Sequence, residues 1–365
     1  MKPLHADILR YGIPFTGPIT VRGLRVERRE GLVLALNTTI NGVTAYGEIA
    51  PLPGLHDETL EEAERALSGF VPKLAELRSK NRNEQQELLQ GAGLPPSVMT
   101  GIEMALLNLE AIGSRRGPCF TGAYPAARTV TVNALLFGTP ETVIGRAESC
   151  YAQGFRTFKL KVQAARIEEA IATISRFHKA FGGRAKLRLD ANQSLELDDA
   201  IAFGRSIPAE SVSYIEEPLK EASLIPEFHA RTGIRSALDE TLWQEPGLLE
   251  QIPASCLGAL ILKPNRIGGI GKTLDLAAIA LGRNLSPVLS SAFESGISLG
   301  FYAWLAAVSA PEPAACGLDT GSFLSHDLLE VPFSTHSGAV DPAEAWKNSN
   351  AVRRDMLNPV ARWTS

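Results

Sequence analysis

From about Thr129 onward, short runs of aliphatic and β-branched residues alternate with segments whose apolar positions recur at helical spacing. Strand centres fall near Val132, Leu160, Leu189, Ile215, Leu238, Ile261, Val288 and Cys316, at intervals of 23–29 residues. No repeated sequence accompanies this rhythm, which excludes a solenoid. Eight short strands, most followed by a helix, are the count of a (β/α) barrel; a doubly wound open sheet shares the local texture. The first 125 residues read differently. Two β-rich runs lie between Val21 and Ile40, the clearer being Leu32-Val33-Leu34-Ala35-Leu36, and Asn41-Gly42 marks a hairpin turn into Val43-Thr44-Ala45-Tyr46. A helix capped by Asp57 is expected next, with Leu60, Ala63, Leu67, Phe70, Leu74 and Leu77 on one stripe. A second helix runs from Ser97 to a stop at Gly113. Strands first and helices afterwards is α+β order.

Alternation along the later strands decides between barrel and open sheet. Side chains of a strand point to opposite faces in turn. Phe158, Leu160 and Val162 form one set and Lys159 and Lys161 the other; Leu187, Leu189 and Ala191 oppose Arg188, Asp190 and Asn192. Glu216 shares a face with Tyr214, Asp239 with Ala237, and Lys263 with Ile261. Each strand therefore offers an apolar face to helices and carries a charge at its C-terminal end on the other face. In a barrel that face points at the axis, and the C-terminal mouth is where active sites are built.

Taken singly, a strand-end carboxylate is most often a cap or a solvated charge, and a strand lysine a snorkelling surface residue. Three acids and two lysines on five successive strands are a different matter. Asp190, Glu216 and Asp239 would converge, and clustered carboxylates repel unless a cation sits among them. Without a nearby Cys or His they are hard oxygen ligands, suited to Mg²⁺. Lys161 and Lys263 would flank them.

Composition narrows the setting. Hydrophobic residues make up 45 % and charged residues 21 % of the chain, ordinary values for a folded soluble protein. Lys and Arg total 36 against 40 Asp and Glu, a net charge of −4, so there is no basic stripe for nucleic acid or a membrane surface. Cys119, Cys150, Cys256 and Cys316 are scattered, which reads as reduced thiols in a cytoplasmic protein. Met1 to Arg10 lacks the pattern of a secretory leader, and the longest apolar stretch, Gly300 to Ala310, is far short of the ~20 residues of a membrane helix. Gly271-Lys272-Thr273 is not a phosphate loop, because Arg266 stands where its first glycine belongs. Gly268-Gly269 instead reads as a turn into a helix N-terminus suited to an anion. The six histidines show no metal-ligand spacing.

Lys159-Leu160-Lys161, Leu189-Asp190-Ala191-Asn192, Ile215-Glu216-Glu217-Pro218, Leu238-Asp239-Glu240 and Leu262-Lys263-Pro264 resemble the ordered signature of the enolase superfamily, muconate-lactonizing subgroup. Tyr46-Gly47-Glu48-Ile49-Ala50-Pro51-Leu52-Pro53-Gly54 resembles the cap of the same family. The resemblance implies a modified (β/α)7β TIM-like barrel over 126–324. It also implies an α+β capping domain over 1–125, completed by a tail, 325–365, that returns to it. Arg188, the run Ser290-Ser291-Ala292-Phe293-Glu294-Ser295 and Gly317-Leu318-Asp319-Thr320 are similar to the o-succinylbenzoate synthases. Related N-acylamino acid racemases and dipeptide epimerases share much of the set.

By that resemblance, Asp190, Glu216 and Asp239 hold Mg²⁺, for which Mn²⁺ can substitute, and the substrate is a small carboxylate. Lys161 is the base, with Lys159 beside it on the same face favouring its neutral form. Lys263 stays cationic against the developing enolate. Lys159, Arg188, Asn192, Ser290, Ser291, Glu294 and Gly317 are assigned to the substrate's surroundings, Asn192 by orienting ligands. Phe15 to Gly23 is expected to be a loop closing over the site, and Glu240 to pair with a lysine. The oligomeric state is left open.

Overall fold

A computed structural model describes residues 4–38, 44–114, 117–119 and 129–364. The turn expected at Asn41-Gly42 lies outside them. The N-terminal part is an antiparallel sheet with helices on one face. Its strands are β1 (Leu4–Val21), β2 (Leu24–Thr38) and β3 (Thr44–Ile49). Leu4, Ala6, Ile8, Leu32, Leu34 and Leu36 form a core with Leu67, Phe70, Leu74 and Ile102 of the helices. Helix Pro96–Ser114 packs so closely on β3 that a Cβ at Gly47 would sit 1.9 Å from the Gly101 carbonyl oxygen. Only glycine permits that approach.

Two local expectations change. The first helix is capped by Thr59 rather than Asp57: the Thr59 hydroxyl accepts from Glu62 N–H at 3.2 Å and Glu62 returns the bond to Thr59 N–H at 2.8 Å. Asp57 is drawn instead to Arg266, 2.8 Å away. The stripe ending at Leu77 is broken into helix Leu60–Phe70, a 3₁₀ turn Val71–Lys73 and helix Leu74–Arg78, because Pro72 cannot donate within a continuous helix.

Phe15 to Val21 is strand and not loop, since β1 runs on to the tight turn at Arg22 and Gly23. Both turn residues have positive φ, +44° and +83°, which matches the twist of a two-residue hairpin.

The second layer begins with β4 (Val130–Thr131), then the parallel strands β5 (Ala134–Leu136), β6 (Thr157–Lys161), β7 (Lys186–Asp190), β8 (Val212–Glu216), β9 (Ser236–Leu238), β10 (Leu257–Leu262) and β11 (Ser286–Leu289). Strands β5 to β11 neighbour one another in chain order. The eighth position, around Cys316, closes the ring without a full strand. Cys316 bridges Val132 and Gly317 bridges Ser290, both in parallel. Outward residues such as Phe158, Leu189, Ile215 and Leu260 pack under helices, while Tyr214, Ala237, Ala259, Ile261 and Val288 fill the axis. Strand β12 (Ala339–Val340) pairs with β4, and β13 (Asn358–Thr364) adds to the edge of β1, so the chain's end lies in the N-terminal sheet.

Buried polar contacts join the two parts. The Glu103 carboxylate accepts from Ile270 and Gly271 N–H, occupying the helix N-terminus behind Gly268-Gly269. The anion at that turn is thus supplied by the chain itself. His56 accepts from Leu52 N–H through Nδ1 at 3.0 Å, and its Nε2 lies 3.2 Å from the Asn265 carbonyl oxygen. Both bonds together require the neutral ring with its proton on Nε2. Burial, reinforced by Arg29 and Arg266, pushes the imidazole down to about 3. Above pH 6.5, the ordinary histidine value, folded and unfolded states are both neutral here. Below it the unfolded chain takes a proton that the folded chain refuses, so stability falls by about 1.4 kcal/mol per pH unit until the folded value is reached. Urea unfolding of His56→Gln at pH 7 and pH 5 should show a shallower loss than the parent; equal losses would exclude His56 as the source.

Candidate active site

Ring order sets the geometry of the mouth. Counting β5 as the first position, Lys159 and Lys161 end the second, Asp190 the third and Glu216 the fourth; Asp239 follows the fifth and Lys263 the sixth. In a ring of eight, positions two and six are diametrically opposed. The acids therefore form an arc with a lysine at each end. Asp190 and Asp239 are 0 % exposed and Glu216 is 1 % exposed.

The lysines close on the acids. Lys159 Nζ lies 2.8 Å from Asp190 Oδ2 and 2.7 Å from Glu216 Oε2. Lys161 Nζ donates to Asp190 Oδ2 at 2.6 Å and to Asn192 Oδ1 at 2.8 Å. Lys263 donates to Asp239 Oδ2. Ammonium groups thus stand between the carboxylates, and among the described residues no three acidic, His or Cys side chains close on a common point.

Charge and burial act against each other here. Burial would raise Asp190, but Lys159, Lys161 and Lys263 outweigh it and hold this carboxyl well below its usual range. Burial and the Asp190 charge push Glu216 up, and burial carries Asp239 up to about 6 against the pull of Lys263. Burial would lower Lys159 and Lys263; Asp190 and Glu216 raise the first, and Asp239 raises the second. Such a cluster sets three buried carboxylates against three ammonium groups, those of Lys159, Lys161 and Lys263. Its donor set fits a hard divalent cation: three buried carboxylates on adjacent positions, with Asp239 Oδ1 lacking a hydrogen-bond partner among the described residues.

Above the arc opens a cavity of 690 Å³. Lys159, Lys161, Asn192, Lys263, Ser290, Ser291 and Gly317 line it, and Pro18 to Gly23 at the hairpin tip form its outer wall. A Cβ on Gly317 would lie 2.5 Å from Ser290 Oγ, so the backbone is bare at that point of the wall. Ser291 Oγ is committed to the Gly317 carbonyl at 2.8 Å and meets the Thr320 hydroxyl at 2.6 Å.

Two assigned residues are used elsewhere. Arg188 lies beneath the cavity, not in its lining: it donates to Asn133 Oδ1 at 3.1 Å and to the Ala315 carbonyl, and stacks over Tyr214. Two residues before Asp190, which ends the strand, its side chain reaches the barrel floor. Glu294 is also absent from the lining. It is buried against Ala292 N–H and the Tyr302 hydroxyl, where burial raises it to about 7. Among the described residues Glu240 forms no ion pair with a lysine, although its charge helps to raise Lys263; it accepts from Asn192 Nδ2 at 3.0 Å and faces Arg22 at 3.5 Å.

Sequence reasoning also passed over residues of the mouth. Asn133 lines the cavity, and alternation within Val132 to Leu136 was the available signal. Phe293 lines it from a left-handed backbone, φ +62°, which no pattern announces. Glu217 received no role, yet its carboxylate accepts from Asp239 N–H at 2.7 Å and Thr241 N–H at 2.8 Å, clamping the backbone that carries the third acid.

Fold and cluster together define a class: capped (β/α)7β barrels with acids and lysines at the C-terminal mouth. The enolase C-terminal domain-like family matches residues 143–345, and the N-terminal domain family named MenC matches residues 4–109. An o-succinylbenzoate synthase of Aliivibrio fischeri is 30 % identical over 361 residues, 98 % of each chain. One from Haemophilus influenzae is 28 % identical over 338 residues, 92 % of this chain and 95 % of its own. The fold is also that of a dipeptide epimerase from Methylococcus capsulatus, complexed with Mg and a dipeptide, at TM-score 0.76 and 22 % identity over 93 % of this chain and 96 % of that one. The chain belongs to the enolase superfamily, and within it groups with the o-succinylbenzoate synthases.

Proposed function

We propose that the protein is an o-succinylbenzoate synthase: a lyase that removes water from 2-succinyl-6-hydroxy-2,4-cyclohexadiene-1-carboxylate in menaquinone biosynthesis. The observation that carries the mechanism is the arc of three buried carboxylates with Lys161 and Lys263 facing one cavity from opposite positions of the ring. Asp190, Glu216 and Asp239 would hold Mg²⁺, or Mn²⁺ in its place, and a divalent ion there supplies positive charge to a substrate carboxylate and to the enediolate that forms from it. Lys161 takes the proton from the carbon bearing the carboxylate. The same lysine then returns it to the neighbouring hydroxyl, which leaves as water on the same face while the ring becomes aromatic. Lys263, paired with Asp239, keeps its proton and lies against the opposite face. Ser290 and the Gly317 backbone receive the succinyl end, and the hairpin tip shields the site from water. The four cysteines are unpaired, which supports a cytoplasmic setting, and among the described residues no helix is long and apolar enough to cross a membrane.

Two opposed lysines also serve a racemase or epimerase, in which Lys263 would deliver a proton to the other face. Incubation in D₂O with the cyclohexadiene precursor and with N-succinylamino acids separates the two. Formation of the aromatic product is expected. Exchange of the amino-acid α-proton without any dehydration would move the assignment to the racemase.

A further inference from the structure

Glu240 follows the third acid directly, and its charge helps to raise Lys263, yet among the described residues its carboxylate forms no ion pair with a lysine. It is 1 % exposed, and its Oε1 accepts the Asn192 Nδ2–H at 3.0 Å. Asn192 offers its other end, Oδ1, to the Lys161 ammonium at 2.8 Å. A carboxylate only accepts hydrogen bonds and an ammonium only donates them, whereas an amide has one end of each kind. The order Glu240, Asn192, Lys161 is therefore satisfied by a single orientation of the Asn192 amide. Turned over, the amide would set oxygen against oxygen at Glu240 and donor against donor at Lys161.

The Asn192 backbone adds a reason for the link. It has φ +43°, a region an asparagine tolerates but does not favour, and its N–H is held by Asp190 Oδ1 at 3.1 Å. Glu240 is fixed from its own side: the Glu217 carboxylate grips the flanking N–H groups of Asp239 and Thr241. A rigid acceptor thus orients a rigid amide. Lys161, by contrast, ends in four rotatable bonds and its side chain is 34 % exposed to the cavity. Among the described residues its ammonium has two partners, Asp190 and Asn192, and Asp190 also serves Lys159.

We propose that Glu240 is a positioning residue that acts through Asn192 to set where the Lys161 amine stands in the cavity. The inference rests on the reading of Lys161 as the base. Glu240 also lines the cavity, but the role assigned to it runs through Asn192 and not through the reacting atoms. In Glu240→Gln the acceptor loses its charge and can turn a donor toward Asn192, so Lys161 alone still favours the amide's orientation.

The test uses the full chain with Mg²⁺ and compares Glu240→Gln, Asn192→Ser and the double variant. Each single change is expected to lower kcat about 10–30-fold with KM within about twofold, as loss of a supporting contact typically does. The double variant should be no worse than the worse single one, because both break the same link. Additive losses, or a rise in KM at unchanged kcat, would overturn the proposal. Asn192→Ser leaves Glu240 in place, so wild-type kcat in that variant overturns it even if Glu240→Gln fails to fold. Crystal structures of the parent and Glu240→Gln give a readout independent of the reaction. The Asn192 amide should leave Lys161 in the variant, and an unmoved Asn192–Lys161 pair sinks the idea. Should the parent fail to dehydrate the precursor, the functional assignment falls while the crystal structures still decide the positioning role.

Discussion

Lys161→Ala is expected to lower kcat for dehydration by about 10³–10⁴-fold, because in the proposed mechanism one side chain performs both the proton removal and the proton return. The fold should survive. The Lys161 side chain is 34 % exposed at the cavity floor, and Asp190 keeps Lys159 as a partner when it is gone. The measurement is kcat for formation of the aromatic product, with a thermal melt to confirm folding. Activity retained in this variant would overturn the mechanism. Lys159 is the other inward amine of that strand, and it is pinned between Asp190 and Glu216 at 2.8 and 2.7 Å. Lys263→Ala should also lose dehydration, by about 10²-fold, through poorer stabilisation of developing charge. Its second effect is structural: Asp239 is left buried without its ion-pair partner, which costs about 3–5 kcal/mol where no cation takes the lysine's place. The two lysines thus differ in a way activity alone would hide. One loses rate with stability kept, and the other loses both.

Asp190→Asn is expected to abolish turnover, by about 10³-fold or more, with Mg²⁺ affinity lowered in parallel. The sequence alone argues that a carboxylate at a barrel mouth adds little to stability. Its surroundings say otherwise. Asp190 is fully buried and receives two lysine ammoniums and the Asn192 N–H. Removing its charge leaves buried donors poorly paired, a cost of about 1–3 kcal/mol in EDTA-treated protein. Denaturant midpoints with EDTA and with excess Mg²⁺ measure the stability change, and turnover at saturating Mg²⁺ measures the catalytic one. Undiminished activity in the variant with EDTA present would remove the metal from the mechanism.

Much of this site was legible in the chain because a strand has a period of two. Inward and outward sets on β6, β7, β8, β9 and β10 follow from alternation, and the apolar sets do lie under helices while Lys159, Lys161, Asp190, Glu216, Asp239 and Lys263 crown the axis. Alternation says which face a residue takes but not how high it stands in the barrel. Arg188 shares a row with Asp190 and yet reaches the floor, to Asn133 and Ala315. Nor does it say which acid a lysine will choose: Lys159 bridges two, Lys161 shares one of them, and Lys263 takes the third alone.

Helix propensity and caps are local, so the helices themselves were readable in outline. Asp57 and Thr59 are both good caps by residue type, and the choice between them turned on Arg266, more than 200 residues away in the chain. The strand character of Leu4–Val21 was likewise hidden in part, since its hairpin with β2 is local but its other edge pairs with β13 from the far end of the chain. Glu294 kept its place in a motif but lost its assigned role, because the left-handed turn at Phe293 puts the phenyl ring in the cavity lining and leaves the carboxylate outside it. Residue types and spacing determined the barrel, its charged mouth and the chemistry such a mouth can hold, for these depend on periodicities that each segment carries by itself. Which polar group satisfies which was decided by the tertiary structure alone, because a buried donor takes whatever acceptor the closed ring brings within about 3 Å, however far off in the sequence that acceptor lies.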